Sequence, residues 1–174
     1  MEVRKIRAEM RMGRSVYDLP LRVTFYARAS TDQDEQINSL ENQVQYYTEL
    51  IQSKPNWKFV PGYVDEGISG GSTKKRDNFN RMIRDAKAGM FDFIITKEIS
   101  RFSRSTLDSI KYTQELLDYN VGVFFQNDNI NTLDTDSEFR LVIMAGDSAL
   151  SGNPHSGSYF HSTSPYIWDF PEYA

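Results

Sequence analysis

Residues 26–43 read YARASTDQDEQINSLENQ, and the reading of this stretch decides the fold. It is entered by an apolar run, Leu21–Ala29, whose Val23, Thr24, Phe25 and Tyr26 are the β-branched and aromatic types that favour a strand. The run stops at Arg28 and Ser30 and meets a polar turn, Thr31 to Glu35. Beyond it Ile37, Leu40, Val44, Tyr47 and Ile51 recur at spacings of three and four, which predicts a helix from Gln36 to Ser53. Arg28 and Ser30 are thus expected where a strand ends and a loop begins, and in open α/β sheets ligands bind there.

The same alternation continues downstream. Pro55-Asn56 ends the helix. Trp57–Asp65 (WKFVPGYVD) reads as a second strand, interrupted or bent at Pro61-Gly62. Glu66–Arg76 (EGISGGSTKKR) is a loop. A second helix carries Phe79, Met82, Ile83 and Ala86 on one face and closes near Gly89. Phe91–Thr96 is a third strand, Glu98–Ser105 a loop, and a third helix begins at Ser105 or Thr106 with Leu107, Ile110, Leu117 and Tyr112 expected inside. Val121–Gln126 is a fourth strand, Asn127–Thr135 a polar loop, and Asp136 or Ser137 caps a last apolar helix. Strands alternating with helices predict an α/β fold: a mainly parallel central sheet of four or five strands with helices on both faces.

The chain of 174 residues has room for one ordinary domain. Residues 1–20, ended by Pro20, read as a polar, basic N-terminal arm, disordered or a frayed helix. Residues 21–145 carry the strand–helix alternation. From Gly146 to Ala174 there is no Lys or Arg, both histidines occur, and Ser, Gly, Pro and aromatics dominate, so 146–174 is read as an atypical tail, foreign to the domain or disordered. There is no cysteine, hence no disulfide framework and no thiolate zinc site. No apolar run reaches the ~20 residues needed to cross a bilayer, and the N-terminus lacks a signal-peptide core. A cytoplasmic protein without a membrane partner is expected. The formal net charge is −4, yet Lys74–Lys111 holds ten basic against five acidic residues, a local excess suited to phosphates.

The residues at the predicted strand ends define a chemistry. Ser30 is the candidate nucleophile, but the histidine that usually activates a serine is available only in the tail. No Gly-x-Ser-x-Gly elbow is present. Arginine surrounds Ser30 instead. Arg28 lies two residues before it and shares its side of an extended chain. Arg101 and Arg104 lie one helical turn apart, and Arg76 closes the Gly/Ser loop. Guanidinium groups stay charged and offer paired donors to phosphate oxygens. Fixed cations stabilise the charge that builds on the non-bridging oxygens of an attacked phosphodiester. Taken singly, Ser30 is an ordinary turn residue and the arginines are surface cations; their joint occurrence points to a phosphate site. The loop EGISGGSTKKR lacks the Gly-x-x-x-x-Gly-Lys-Ser/Thr pattern of ATP-binding loops. No cofactor and no metal are expected.

Tyr26-x-Arg28-x-Ser30-Thr31, with Gln36 and Gln43 following and Ser100-Arg101-Phe102-Ser103-Arg104 downstream, resembles the serine recombinases of the resolvase/invertase type, from about Leu21 to about Ala145. The long loop after Ser30 is more similar to the large members from phages and conjugative transposons. The resemblance implies site-specific DNA recombination. Ser30 would attack a DNA phosphodiester and become a 5′-phosphoserine, with Arg28, Arg76, Arg101 and Arg104 around the scissile phosphate and Gln43 near it. It implies double-stranded DNA attachment sites as partners, and self-association of the full-length protein to a dimer and a synaptic tetramer. Short resolvases carry Asp where this chain has Ser100, so no acidic helper is expected there. The family's last helix continues past Ala145, where this sequence departs from it, so the chain alone is expected to bind specific sites poorly. The alternative is a non-catalytic, flavodoxin-like nucleotide- or protein-binding module. In that case Ser30, Arg28, Arg101 and Arg104 would scatter instead of meeting at one place.

Overall fold

The computed structural model describes residues 1–28, 35–65, 76–102 and 105–151; the side chains of 35–39, 106 and 145–151 are outside the description. The chain begins with a helix, α1 (Val3–Arg11), and a capped turn at Val16–Asp18. Strand β1 (Arg22–Arg28) follows, then α2 (Glu35–Gln52), β2 (Lys58–Phe59), β3 (Tyr63–Asp65) and α3 (Asp77–Lys87). Next come β4 (Phe93–Thr96), a four-residue helix α4 (Ile99–Phe102), α5 (Thr106–Asp118), β5 (Gly122–Phe125), β6 (Ile130–Asn131) and α6 (Ser137–Ser151).

The sheet order is β2-β1-β4-β5-β6, with β3 also paired to β1. All pairs are parallel except β5 with β6. Five sheet positions therefore hold six strand segments, because β2 and β3 share one edge of β1. Val23 pairs with Phe59 and Tyr26 with Tyr63, so two residues of β1 face three of its neighbour, the geometry of a bulge. Pro61-Gly62 supplies the extra residue. Thr24 Oγ1 donates to the Pro61 carbonyl at 3.0 Å, and the Phe25 ring lies so close that a Cβ on Gly62 would sit 2.2 Å from it. Gly62 is needed for this approach, and the predicted bend is present.

Side chains of β1 alternate between two cores. Val23, Phe25 and Ala27 join Phe93, Ile95 and Phe124 under α1 and α2, with Tyr47, Leu50, Ile51 and Trp57. Tyr26 joins Ile94, Val123 and Phe125 under α3, α4 and α5, with Phe79, Met82, Phe102 and Leu116. Helices thus cover both faces, as expected.

The N-terminal segment corrects the reading of a disordered or frayed arm. Val3, Ile6 and Met10, at spacings of three and four, are buried in the first core. Arg7 is also internal to the fold, donating to the carbonyls of Thr132 at 2.9 Å and Leu133 at 3.2 Å. Three apolar positions in a basic stretch are enough when the sheet offers a face to cover. Leu107, expected inside, is 64% exposed; α5 buries Ser109, Thr113 and Leu116 instead. The loop 127–135 also contains β6. Asn129 adopts φ 50°, which Asn tolerates, and turns the chain back on β5. Gly89, at φ 70°, closes α3 as its sequence position predicts.

Candidate active site

The C-terminal ends of β1, β3 and β4 lie side by side, and the loops that leave them carry the predicted site residues. Tyr26 is aligned with both Tyr63 and Thr96, and Arg28 with Asp65. By strand alternation Arg28 shares the face of Tyr26, the face covered by α3 and α4. Arg28 itself is half-buried.

Arg76 stands at the start of α3. Its Nη2 donates to the carbonyls of Arg101, at 3.1 Å, and Phe102, and reaches the Tyr26 hydroxyl at 3.4 Å. Its guanidinium covers the Phe79 ring at 3.8 Å. Arg76 thus ties the end of α4 to the start of α3 over the end of β1. Asp65 completes the tie. One carboxylate oxygen accepts from the Tyr26 hydroxyl at 3.0 Å and from the Phe79 N–H at 3.0 Å; the other accepts from the Asn78 N–H at 3.1 Å. A carboxylate on the first N–H groups of a helix satisfies otherwise unpaired donors and complements the helix dipole. Burial, eased by the Arg76 hydrogen bond, pushes the Tyr26 hydroxyl up to about 12, so it stays a neutral linker between the two charged groups.

A helix of four residues does not hold itself. α4 is fixed at both ends and underneath. The Ile99 N–H donates to Asp128 Oδ2 at 2.7 Å, and the last carbonyls are held by Arg76. Ile99 and Phe102 are buried, and Phe102 makes edge-on contacts with Tyr26, Phe79, Tyr112 and Phe125 at 5.0–6.4 Å. Such ring pairs contribute about 0.5–1.5 kcal/mol each beyond burial. Arg101 is the polar residue between these anchors. Its Nε is buried 3.3 Å from Glu98 Oε1, with the whole side chain 23% exposed. Ser100 Oγ donates to the same Glu98 oxygen.

The structure therefore brings Arg28, Arg76 and Arg101 to one pole and one face of the sheet. Gln43 is buried on α2, on the opposite face, one turn before Tyr47, which stacks on Phe25 of β1. Ser30 and Arg104 lie outside the described residues. Asp65 and Glu98 were not singled out from sequence. The signal for Asp65 was an acid at a strand end before a Gly-rich loop; for Glu98 it was a spacing of three from Arg101. Burial, lightened by the Ile99 N–H and reinforced by the Glu98 charge, raises Asp128 to about 6. Among the described residues no group of three or more His, Cys, Asp or Glu is placed to hold a metal ion. Among them, too, no helix is long and apolar enough to cross a membrane.

Comparison with known proteins gives this arrangement its family. Residues 23–153 match the model described as Resolvase, N terminal domain. The matched span ends at residue 153, and α6 ends at Ser151. A resolvase family site-specific recombinase from Streptococcus pneumoniae is 30% identical, with a TM-score of 0.63 over 74% of this chain and 88% of that one. The N-terminal catalytic domain of TP901-1 integrase shares the fold at 23% identity, with a TM-score of 0.50 over 74% of this chain and 94% of the other. No curated protein matches.

Proposed function

The chain belongs to the resolvase N-terminal domain family of site-specific recombinases, and from that premise we propose that Ser30 is the nucleophile of its DNA strand exchange. The Ser30 oxygen bonds to the phosphorus of a DNA phosphodiester, and the bond to the 3′ oxygen breaks. That oxygen leaves as a 3′-hydroxyl after taking up a proton. The 5′-phosphoserine keeps the energy of the broken bond, so a 3′-hydroxyl of the exchanged strand attacks it and releases Ser30 without ATP. Arg28, Arg101 and Arg104 stabilise the charge on the non-bridging oxygens. Arg76 serves the same centre by holding α4, and Gln43 supports it from α2.

The observation that carries this reading is the Arg76 clamp. It fixes the backbone of Arg101 over the end of β1, the strand that presents Arg28 and leads to Ser30 two residues on. The partners are double-stranded DNA attachment sites and further copies of the full-length protein, in a dimer and then a synaptic tetramer. Acting on DNA, the protein works in the cytoplasm, and the division into residues 21–145 as catalytic domain and 146–174 as an atypical tail belongs to the same proposal. The test is to incubate the protein with fragmented genomic DNA of its source cell and capture covalent adducts. A phosphoserine at residue 30, found by peptide mass spectrometry, is expected. Adducts at another residue contradict the assignment.

A further inference from the structure

We propose that Glu98 is the positioning carboxylate of Arg101, aiming its guanidinium at the DNA phosphate from three residues upstream. The inference rests on the reading that Arg101 binds that phosphate. Three observations carry it. First, the inner edge of the Arg101 guanidinium faces Glu98 as an ion pair, without the alignment of a hydrogen bond. Nε is buried 3.3 Å from Glu98 Oε1, while the side chain as a whole keeps 23% exposure. The exposed part is therefore not Nε, and the outer nitrogens of the guanidinium are the donors left for a ligand. Second, Glu98 is itself fixed. Ser100 Oγ donates to Oε1, and Asn127 Nδ2 approaches Oε2 at 3.5 Å. Third, the backbone between the two residues cannot drift, since Asp128 holds the start of α4 and Arg76 its end.

An exposed pair three residues apart contributes little to stability. Glu98 and Arg101, at 29% and 23% exposure, are mostly enclosed, so the pair acts on direction more than on stability. A carboxylate beside a DNA phosphate is also electrostatically unfavourable on its own. A merely solvated Glu98 would repel the backbone, and its neutralisation would only tighten binding. A positioning Glu98 gives opposite signs: neutralisation leaves duplex affinity equal or tighter and slows cleavage. Misplacing a catalytic group by about 1 Å costs up to about a hundredfold.

The expected results, on a duplex that the full chain cleaves, are clear. Glu98→Gln lowers the single-turnover cleavage rate between about tenfold and about a hundredfold without weakening duplex binding. A wild-type rate in Glu98→Gln overturns the proposal, as does a loss of cleavage that follows a loss of binding or of melting temperature.

A Ser30→Ala lane separates this outcome from the parent reading, because persistence of adduct there removes the nucleophile assignment and leaves the Glu98 comparison standing. A readout without turnover is the Arg101 Nε–H resonance in the Ser30→Ala protein, which is expected to exchange slowly with water and to exchange faster with Glu98→Gln. An Nε–H signal unaffected by Glu98→Gln also overturns the proposal.

Discussion

Replacing Arg76 tests whether this arginine is a structural clamp in the free protein or a cation waiting for phosphate. Arg76→Ala removes hydrogen bonds from a charged donor to the Arg101 and Phe102 carbonyls, together with the contact on Phe79 at 3.8 Å. Bonds with one charged partner contribute about 1.5–3 kcal/mol, and a cation over a partly desolvated ring about 0.5–2 kcal/mol. The half-buried guanidinium also costs something to desolvate, so a net loss of about 2–3 kcal/mol is expected. For a domain of this size each kcal/mol moves the melting temperature by about 2–4 °C, giving a drop of about 4–12 °C. Thermal unfolding followed by circular dichroism, without DNA, is the assay. A cation held only for phosphate would be neutral to stability, or its removal would stabilise by relieving repulsion. A melting temperature within about 2 °C of wild type refutes the clamp. Arg76→Lys should resemble the alanine variant more than wild type, because an ammonium cannot reproduce the planar fork.

Asp128 gives a pH signature. Its folded value, raised mainly by burial to about 6, lies above the 3.8 of an unperturbed carboxyl. Its contribution to stability is therefore full below about 3.8 and is lost as pH rises through about 6. Asp128→Asn removes that dependence, so the difference in melting temperature between variant and wild type should change between pH 4 and pH 7, and a constant difference contradicts the assignment. Gly62→Ala drives a methyl group to 2.2 Å from the buried Phe25 ring, which stacks on Tyr47. Overpacking of this kind costs about 1–3 kcal/mol, measurable as a lower urea midpoint at unchanged slope; an unchanged midpoint would show that the ring shifts freely.

The parts of this molecule that could be read from sequence are those with strong local periodicity. Phe79, Met82, Ile83 and Ala86 mark α3, and Pro61-Gly62 marks the break between β2 and β3, because helix faces and proline-glycine bends leave patterns within a few residues. The burial of α1 was missed because Val3, Ile6 and Met10 are diluted by five cations, and only the sheet supplies the surface that orders them. β6 and α4 were missed for a related reason. Two and four residues carry no periodicity, and their stability comes from β5, Asp128 and Arg76, distant in sequence. At the candidate site, Arg28 and Arg101 were singled out by type and position. Asp65, which anchors the start of α3, became visible only with the hydrogen bonds that join separate strand ends, and the pairing of Glu98 with Arg101 only with the short helix that brings them within 3.3 Å.

The most direct test of the central claim is the covalent linkage at Ser30. The protein and its Ser30→Ala variant are incubated with genomic fragments of the source cell, resolved on a denaturing gel and examined by mass spectrometry. A protein–DNA adduct carried on residue 30, and absent from the variant, is the predicted result. An adduct of equal yield in Ser30→Ala, or a linkage mapped to any other side chain, would contradict the account.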